Sequence, residues 1–459
     1  MQVVQGSQSH LPPADRVKRA LRYSTLEGMV YGAFLAFGDH FLIAFAVALG
    51  SDSLQIGLLA SVPGFLASLV QLLDAALVRR MKSRKAVILT FALAQGLMFL
   101  PIMALGFFHI EGKAWWLILL TTGYSVFGSL VSPAWGSIMS EVVPERLRGR
   151  YFSMRGRLST LALVVAFLAA GVFLNFLAGR ALWGFGLLFG TAVVMRMASS
   201  LLLTQLYEAP QDQSIQQTRS PIADQKAISV ATLGRYLAFL FAMTFAVNIA
   251  SPYFAVYQLR ELKMSYLTFA ALDTVSSVAM ILAITHWGNA ADKVGNRKML
   301  AWASLMIPLI PLLWLVSPNV YYLGVVQAFS GVAWAGFSLC SLNYLFDATV
   351  PTNRTRYLGY FNAGSGLAAG LGALVGGYVA PHLPALQGSH ILTLFLVSGL
   401  LRGLVTLVFG PGLKEVRRVS GLSGAELFHL LIGGRPVTRH AGHRRHFHIH
   451  HHQAPAGHG

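Results

Sequence analysis

The sequence predicts an all-α integral membrane protein with about twelve transmembrane helices, arranged as two pseudo-symmetric six-helix bundles. Three observations carry that expectation. The 459 residues are 55% hydrophobic and only 11% charged, with a mean hydropathy of +0.59, whereas soluble domains hold about 25% charged residues. Apolar runs recur along the whole chain, most of them close to the roughly 20 residues a helix needs to cross the hydrocarbon core. Two stretches of the first half recur, in order, in the second.

The apolar runs fall at 28–50, 54–78, 86–108, 115–139, 158–178, 182–206, 236–257, 267–287, 299–317, 321–345, 358–380 and 390–410. Polar breaks inside them are few, so helices are expected; barrel strands would read as short alternating segments. The first run starts near Gly28, is long for a signal-peptide core and has no A-x-A site behind it, so it reads as a retained span. Residues 1–27 form a basic leading segment. Between spans six and seven, residues 207–234 include "YEAPQDQSIQQTRSPIADQ", the composition of a flexible linker. The expected units are therefore 28–206 and 235–413, followed by a His-rich tail at 414–459.

A formal net charge of +18 would suggest nucleic acid in a soluble protein, but here the bases sort by loop. Only Lys113, Arg180, Arg260 and Lys263 fall in the loops of one side. Arg196 and Arg402 fall within spans, and the remaining Lys and Arg lie on the other side. The positive-inside rule puts that basic side, with both termini, in the cytoplasm of a multi-pass cytoplasmic-membrane protein. It also accounts for the charge without nucleic acid. Cys340, the single cysteine, lies in an apolar run, so no disulfide framework or cysteine metal site is expected.

The repeat is read from two matches. Arg84-Lys85 aligns with Arg297-Lys298 at an offset of 213, which lays "AALVRRMKSRKAV" (75–87) over "GNAADKVGNRKML" (288–300). "VPERLRGRYFSMRG" (143–156) aligns with "VPTNRTRYLGYFNAG" (350–364), Pro144 over Pro351, at an offset of 207. The first pair joins spans two and three of each half, the second joins spans four and five. Parallel six-span repeats of this kind place a substrate path at their interface, near the bilayer midplane.

With these residues in view the chain resembles the major facilitator superfamily over about residues 25–412. Gly288, Asp292, Lys293, Gly295, Arg297 and Lys298 match that family's cytoplasmic loop signature, with Asn296 in place of a base. The first-half copy departs from it: Arg79 stands at the acid position and Ala75 and Lys82 at the glycine positions, while Arg84 and Lys85 are kept. Tyr124 stands near the place where the family's fourth span usually carries an arginine, and the fifth span lacks the Gly-Pro antiporter signature. The resemblance implies that the loop, with Asp292, latches one conformational state. Arg150, Arg155 and Arg157 are the expected partners across the interface. It also implies that spans one, four, seven and ten surround the cavity.

Candidate site residues follow. Asp39 and Asp273 lie inside spans, where an acid is costly unless it faces a cavity or a partner and where burial can make it protonatable near neutral pH; they are the proton-coupling candidates. His40 sits about 100° round the helix from Asp39 and is a substrate-cavity candidate with Asn248 and Tyr253, which flank the hinge residue Pro252. The resemblance adds Tyr124, Trp135, Trp334 and Asn343. Asp74 lies nearer the end of the second span. Arg196 and Arg402 are expected to snorkel to the interface. The glycines of "GSGLAAGLGALVGG" in the eleventh span read as close helix packing. In the tail, His446, His448, His450, His451 and His452 are candidate ligands for a divalent metal.

No nucleotide-binding loop or catalytic constellation is present in the sequence, so an enzyme and a cofactor are not expected. The expected function is secondary active transport of a small molecule by alternating access, with protons as coupling ion and a monomer in the bilayer as working unit. Two alternatives remain open: a non-transporting receptor or assembly factor on the same fold, and a transporter of metal or metal chelates with a metal-sensing tail.

Overall fold

A computed structural model describes residues 14–144, 147–208, 230–349, 354–413 and 415. Eleven helices among them are long and apolar enough to cross a membrane. The first six spans are Val17–Ala48, Ser53–Val70, Arg84–Phe107, Lys113–Val142, Arg148–Phe176 and Ala178–Leu203. The seventh and eighth are Thr232–Glu261 and Tyr266–Val294; the tenth to twelfth are Val320–Ala348, Tyr357–His382 and His390–Gly412. The ninth apolar run is helical in two pieces, Asn296–Met306 and Leu309–Leu313. Pro308 stands at the break and Pro311 inside the second piece, each removing a backbone N–H from the helix ladder.

The repeat is visible in the packing. The second span packs on the eleventh, and the fifth on the eighth. Exchanging the halves turns one pair into the other, so the interface is built twice from the same elements. The second–eleventh contact is close because it is made between glycines. A Cβ on Gly57 would lie 3.0 Å from Gly377 Cα, and one on Gly377 would lie 2.8 Å from the Ser53 carbonyl.

The apolar core is divided unequally. One cluster joins residues of both halves, including Phe41, Phe45 and Phe185 of the first and Tyr253, Phe269 and Trp314 of the second. Two further clusters each belong to one half: Val87, Ile138 and Leu203 with their neighbours, and Tyr236, Trp287 and Leu345 with theirs. The shared cluster lies toward the face that carries Ser51 and Arg260; the separate ones lie toward the basic face. The halves are therefore sealed at the outer face and part toward the basic face, leaving an opening between them. Polar contacts reinforce the seal: Tyr253 donates its hydroxyl to the Ser53 carbonyl at 3.0 Å, and Arg260 donates to the Ser51 carbonyl at 2.5 Å.

Candidate functional site

The first span is not one continuous helix. It is α-helical to Phe37, turns at Gly38, runs as a 3-10 turn over Asp39–Phe41 and resumes at Leu42. Gly38 is needed there because a Cβ would meet the Phe99 ring at 2.7 Å. The break changes the expected geometry. On a regular helix Asp39 and His40 diverge; at the 3-10 turn both are exposed. They lie beside the sealed cluster, for the next residue, Phe41, is fully buried and rests on Phe167 at 4.9 Å and on Phe269 of the other half at 6.1 Å. Asp39 and His40 thus mark the closed end of the opening.

Groups from several spans converge on this point. The Tyr124 hydroxyl of the fourth span lies within electrostatic reach of the Asp39 carboxyl. His40 packs its ring on Phe167 at 5.3 Å and lies within electrostatic reach of both Asp39 and Asp273. Asp273 comes from the eighth span, so the cluster Asp39–His40–Asp273 draws on both halves. Tyr124 itself is buried, edge-on to Phe99 at 5.0 Å and to Phe34 at 6.0 Å.

The other cavity candidates divide. Trp135 is half-buried near the basic end of the fourth span, with the Arg155 guanidinium 4.3 Å above its ring. Trp334 and Asn343 are half-buried on the tenth span, Trp334 edge-on to Phe337 at 5.7 Å. Asn248 is half-buried and donates to the Thr244 carbonyl of its own helix at 2.8 Å. Tyr253 does not line the opening. It is fully buried and bonds across the outer seal, because the chain turns at Ile249–Pro252 and restarts as a short helix from Tyr253.

Snorkelling fails for both arginines. Arg196 and Arg402 are each 1% exposed, since each finds polar partners inside its own half. Arg196 donates to Ser199 at 2.9 Å, and Ser199 donates to Glu27 at 3.0 Å. Arg155 is paired with the same Glu27 at 2.8 Å, not with Asp292 across the interface. Arg402 donates to the Ser398 hydroxyl and to the Val247 and Ile307 carbonyls. Glu27 was legible only as a residue just before the first apolar run. Its signal is an acid, one of two with Asp15, within a basic flank, on a helix that begins at Ala14.

The loops of the basic face show the repeat in chemistry. In the first half, Arg84 pairs bidentately with Glu141, its Nη2 at 2.8 Å from Oε2, and also reaches Glu208 at 3.3 Å. Ser83 donates to the same Glu208 at 2.7 Å, with the backbone N–H groups of Arg84 and Lys85 at 2.8 and 3.2 Å. In the second half Asn296 donates to Asp347 at 2.6 Å, Arg297 is half-buried with its Nε enclosed, and the Glu415 carboxylate lies against Gly295. Glu141, Glu208 and Glu415 carry no signal in the sequence, and Asp347, a candidate partner for Arg79 by sequence, is bonded to Asn296; each acid follows the end of an apolar run at equivalent places in the halves. Asp292, Lys293, Arg79 and Arg150 are exposed, Lys298 is half-buried and a Cβ on Gly288 would lie 3.6 Å from Leu339. The candidate metal ligands His446, His448, His450, His451 and His452 lie outside the described residues. Among the described residues no group of three or more His, Cys, Asp or Glu is arranged to hold a metal ion.

A family model described as Major Facilitator Superfamily matches residues 29–272 and 236–438. The multidrug resistance protein MdtG of Salmonella arizonae is 27% identical over 167 residues, 35% of this chain and 40% of that protein. The class H tetracycline resistance protein of Pasteurella multocida is 26% identical over 117 residues, 25% of this chain and 29% of that protein. The matched segments thus span well under half the length of these curated relatives. Among solved structures, a mutant form of the nucleoside transporter NupG gives a TM-score of 0.67, at 14% identity over 87% of this chain and 100% of that chain. A D-xylose-proton symporter gives 0.66, at 14% identity over 88% and 100%. A bacterial homologue of the iron transporter ferroportin, in an inward-facing state, gives 0.64, at 14% identity over 88% and 100%.

Proposed function

The chain belongs to the major facilitator superfamily, and on that premise we propose that it is a secondary transporter: it moves a small molecule across the cytoplasmic membrane by alternating access, and proton binding at Asp39 drives the movement. The basic face is the cytoplasmic one in this reading, so the opening faces the cytoplasm. The observation that carries the proposal is the position of Asp39. It is an exposed carboxylate on a broken helix at the closed end of the opening, with Asp273 of the opposite half within electrostatic reach of the same His40. A proton taken up there changes the charge between the halves, which is where an alternating-access carrier has to sense it. Relatives and fold neighbours bear names from drug resistance to sugar-proton symport, so the substrate class is kept at small molecule.

The test uses the full chain in liposomes, with a compound found by thermal-shift screening of metabolites, drugs and metal chelates. Asp39→Asn is expected to lose accumulation driven by a pH gradient while keeping gradient-independent exchange. Accumulation unchanged by the substitution would remove Asp39 from coupling.

A further inference from the structure

The outer face holds a cavity of about 410 Å³ that the path through Asp39 does not use. Both halves build it. Val47 of the first span and Asn175 at the end of the fifth line one side; Arg260 of the seventh span, Lys263 of the following loop and Tyr266 of the eighth line the other. Tyr266 stands edge-on to Phe185 at 5.2 Å, and Phe185 lies 6.4 Å from Phe41. The aromatic seal therefore backs the cavity.

The charge of its wall is one-sided. Arg260 and Lys263 line it, and among the described residues no acid does. Neither base is ion-paired to a described carboxylate. Arg260 spends one N–H on the Ser51 carbonyl and keeps the rest of its five-donor fork. The loops of this face carry four bases. Two line this cavity, and a third, Arg180, lines an adjoining hollow that shares Ala178 with it. Lys and Arg are otherwise held on the opposite side, so their gathering around one space has a local cause.

Two departures from a regular helix bring these bases to one wall. The seventh span ends in a wide π turn over Tyr257–Glu261, closed by the Leu262 N–H on the Tyr257 carbonyl at 2.9 Å. Such turns concentrate at functional sites. Lys263 then adopts a left-handed conformation, with φ of 49°, and the Met264 N–H returns to the Gln258 carbonyl at 2.9 Å. Glycine usually fills that helix-ending place. A lysine is strained there, and strain of this kind clusters where a side chain is used.

We propose that this cavity binds an oxyanion carried on a small apolar body, a carboxylic acid or a phosphate ester, and that its occupation holds the outer seal shut. The planar guanidinium of Arg260 matches two oxygens of a carboxylate or phosphate, and Lys263 adds a compact charge. Asn175, exposed, and Tyr266, half-buried, supply uncharged donors. Val47, Leu259 and Met264 supply the apolar part of the wall. A few polar groups on an apolar wall, at this volume, are the pattern of a small-molecule site. Because the walls come from both halves, the cavity keeps this shape only while the halves meet at the outer face. A ligand that binds it favours that state. The phosphate of an anionic lipid offers the same chemistry.

The experiment titrates phenyl phosphate, with benzyl alcohol as uncharged control, into the full chain in phosphatidylcholine nanodiscs by calorimetry. Saturable binding is expected for phenyl phosphate alone. Lys263→Gly should weaken it about tenfold or more, the size of a lost hydrogen bond to a charged group. The same variant should keep or raise the unliganded melting temperature, since glycine relieves the left-handed turn. Arg260→Gln should weaken binding too, but it also removes a bond of the seal, so Lys263→Gly carries the decision. Adding phosphatidylglycerol separates the two sources. Unchanged affinity assigns the site to a soluble anion; a drop in the parent that Lys263→Gly abolishes assigns it to a lipid phosphate. Labelling of a Ser51→Cys reporter, at a position now 2% exposed, should slow when phenyl phosphate saturates the protein. Equal binding of the two probes, affinity unmoved by Lys263→Gly, or labelling that does not slow would overturn the proposal. None of these readouts involves flux, so they succeed or fail independently of Asp39.

Discussion

Lys82 and Gly295 hold the same place in the two halves, at the turn before the third and ninth spans, separated by the repeat offset of 213. Both have positive φ, 56° and 98°. Lys82 is in the left-handed helical region, which costs an L-residue roughly 1–2 kcal/mol. Gly295, with ψ of 148°, is in a region that only glycine adopts freely. Lys82→Gly is therefore expected to stabilise the protein by up to about 1 kcal/mol. Gly295→Ala is expected to destabilise it by about 1–3 kcal/mol, because a Cβ there also meets the Glu415 carboxylate. Thermal unfolding in detergent measures both; a neutral Gly295→Ala would contradict the assignment. Glu208 supplies a pH dependence. Burial pushes its carboxyl up, but Ser83, the backbone N–H groups of Arg84 and Lys85 and the Arg84 guanidinium together hold it below the ordinary glutamate range. A depressed folded-state value gives stability that is complete above the ordinary value and is lost as pH falls through the lower one. Wild-type unfolding should steepen on acidification below about pH 4.3, and Glu208→Gln should flatten that limb. Equal slopes for the two proteins would argue against it.

At the scale of elements, the twelfth span explains how two broken helices stay in place. Pro308 and Pro311 free the carbonyls of Ser304 and Ile307, four residues earlier in each case. Thr406 donates to the Ser304 carbonyl at 3.0 Å and Arg402 to the Ile307 carbonyl at 3.3 Å. At the break of the seventh span, Ser398 donates to the Ala246 carbonyl at 2.6 Å and Arg402 to the Val247 carbonyl at 3.2 Å. Ser398, Arg402 and Thr406 are spaced i, i+4, i+8, so one face of the twelfth span caps the breaks of two neighbours. Thr406→Val should lower stability by about 0.5–1.5 kcal/mol, the scale of an interhelical hydrogen bond in a membrane protein. Arg402→Met should cost more, since it strands several carbonyls at once. Thermal unfolding in detergent ranks the pair, and an Arg402→Met no worse than Thr406→Val would show that water or lipid satisfies those carbonyls. The first half uses the equivalent arginine otherwise: Arg196 lies with Glu27 and two aromatic rings.

For the whole molecule, the outer seal and the opening toward the basic face are two ends of one equilibrium. Closing the opening requires the second and eleventh spans, and the fifth and eighth, to rock about close contacts that include Gly57 and Gly377 in the first pair and Gly171 in the second. A side chain at Gly377 is expected to pry the outer seal apart. Gly377→Leu should raise labelling of a reporter cysteine at Ser51, now 2% exposed, and lower labelling at Arg157, now exposed. Cys340 is fully buried, which favours a clean background. Labelling that rises at neither site, or at both, would speak against a rocking motion.

The membrane class, the spans and the duplication are legible in the chain before it folds, because hydrophobic length and loop charge are local quantities that lipid enforces residue by residue. Asp39 and Asp273 are legible in the same way, since an acid in an apolar run stands out wherever the chain folds. What surrounds them is set by how the spans pack. The break at Gly38 turns both Asp39 and His40 into the opening, a geometry that a regular helical period excludes. Arg196 and Arg402 are buried rather than snorkelling because Ser199 and Glu27, or carbonyls freed by distant prolines, wait for them across the bundle. Tyr253 became part of the outer seal because a turn, not its place along the span, sets its direction. Which end of the molecule is open is likewise a property of how two halves meet, and no stretch of either half carries it alone.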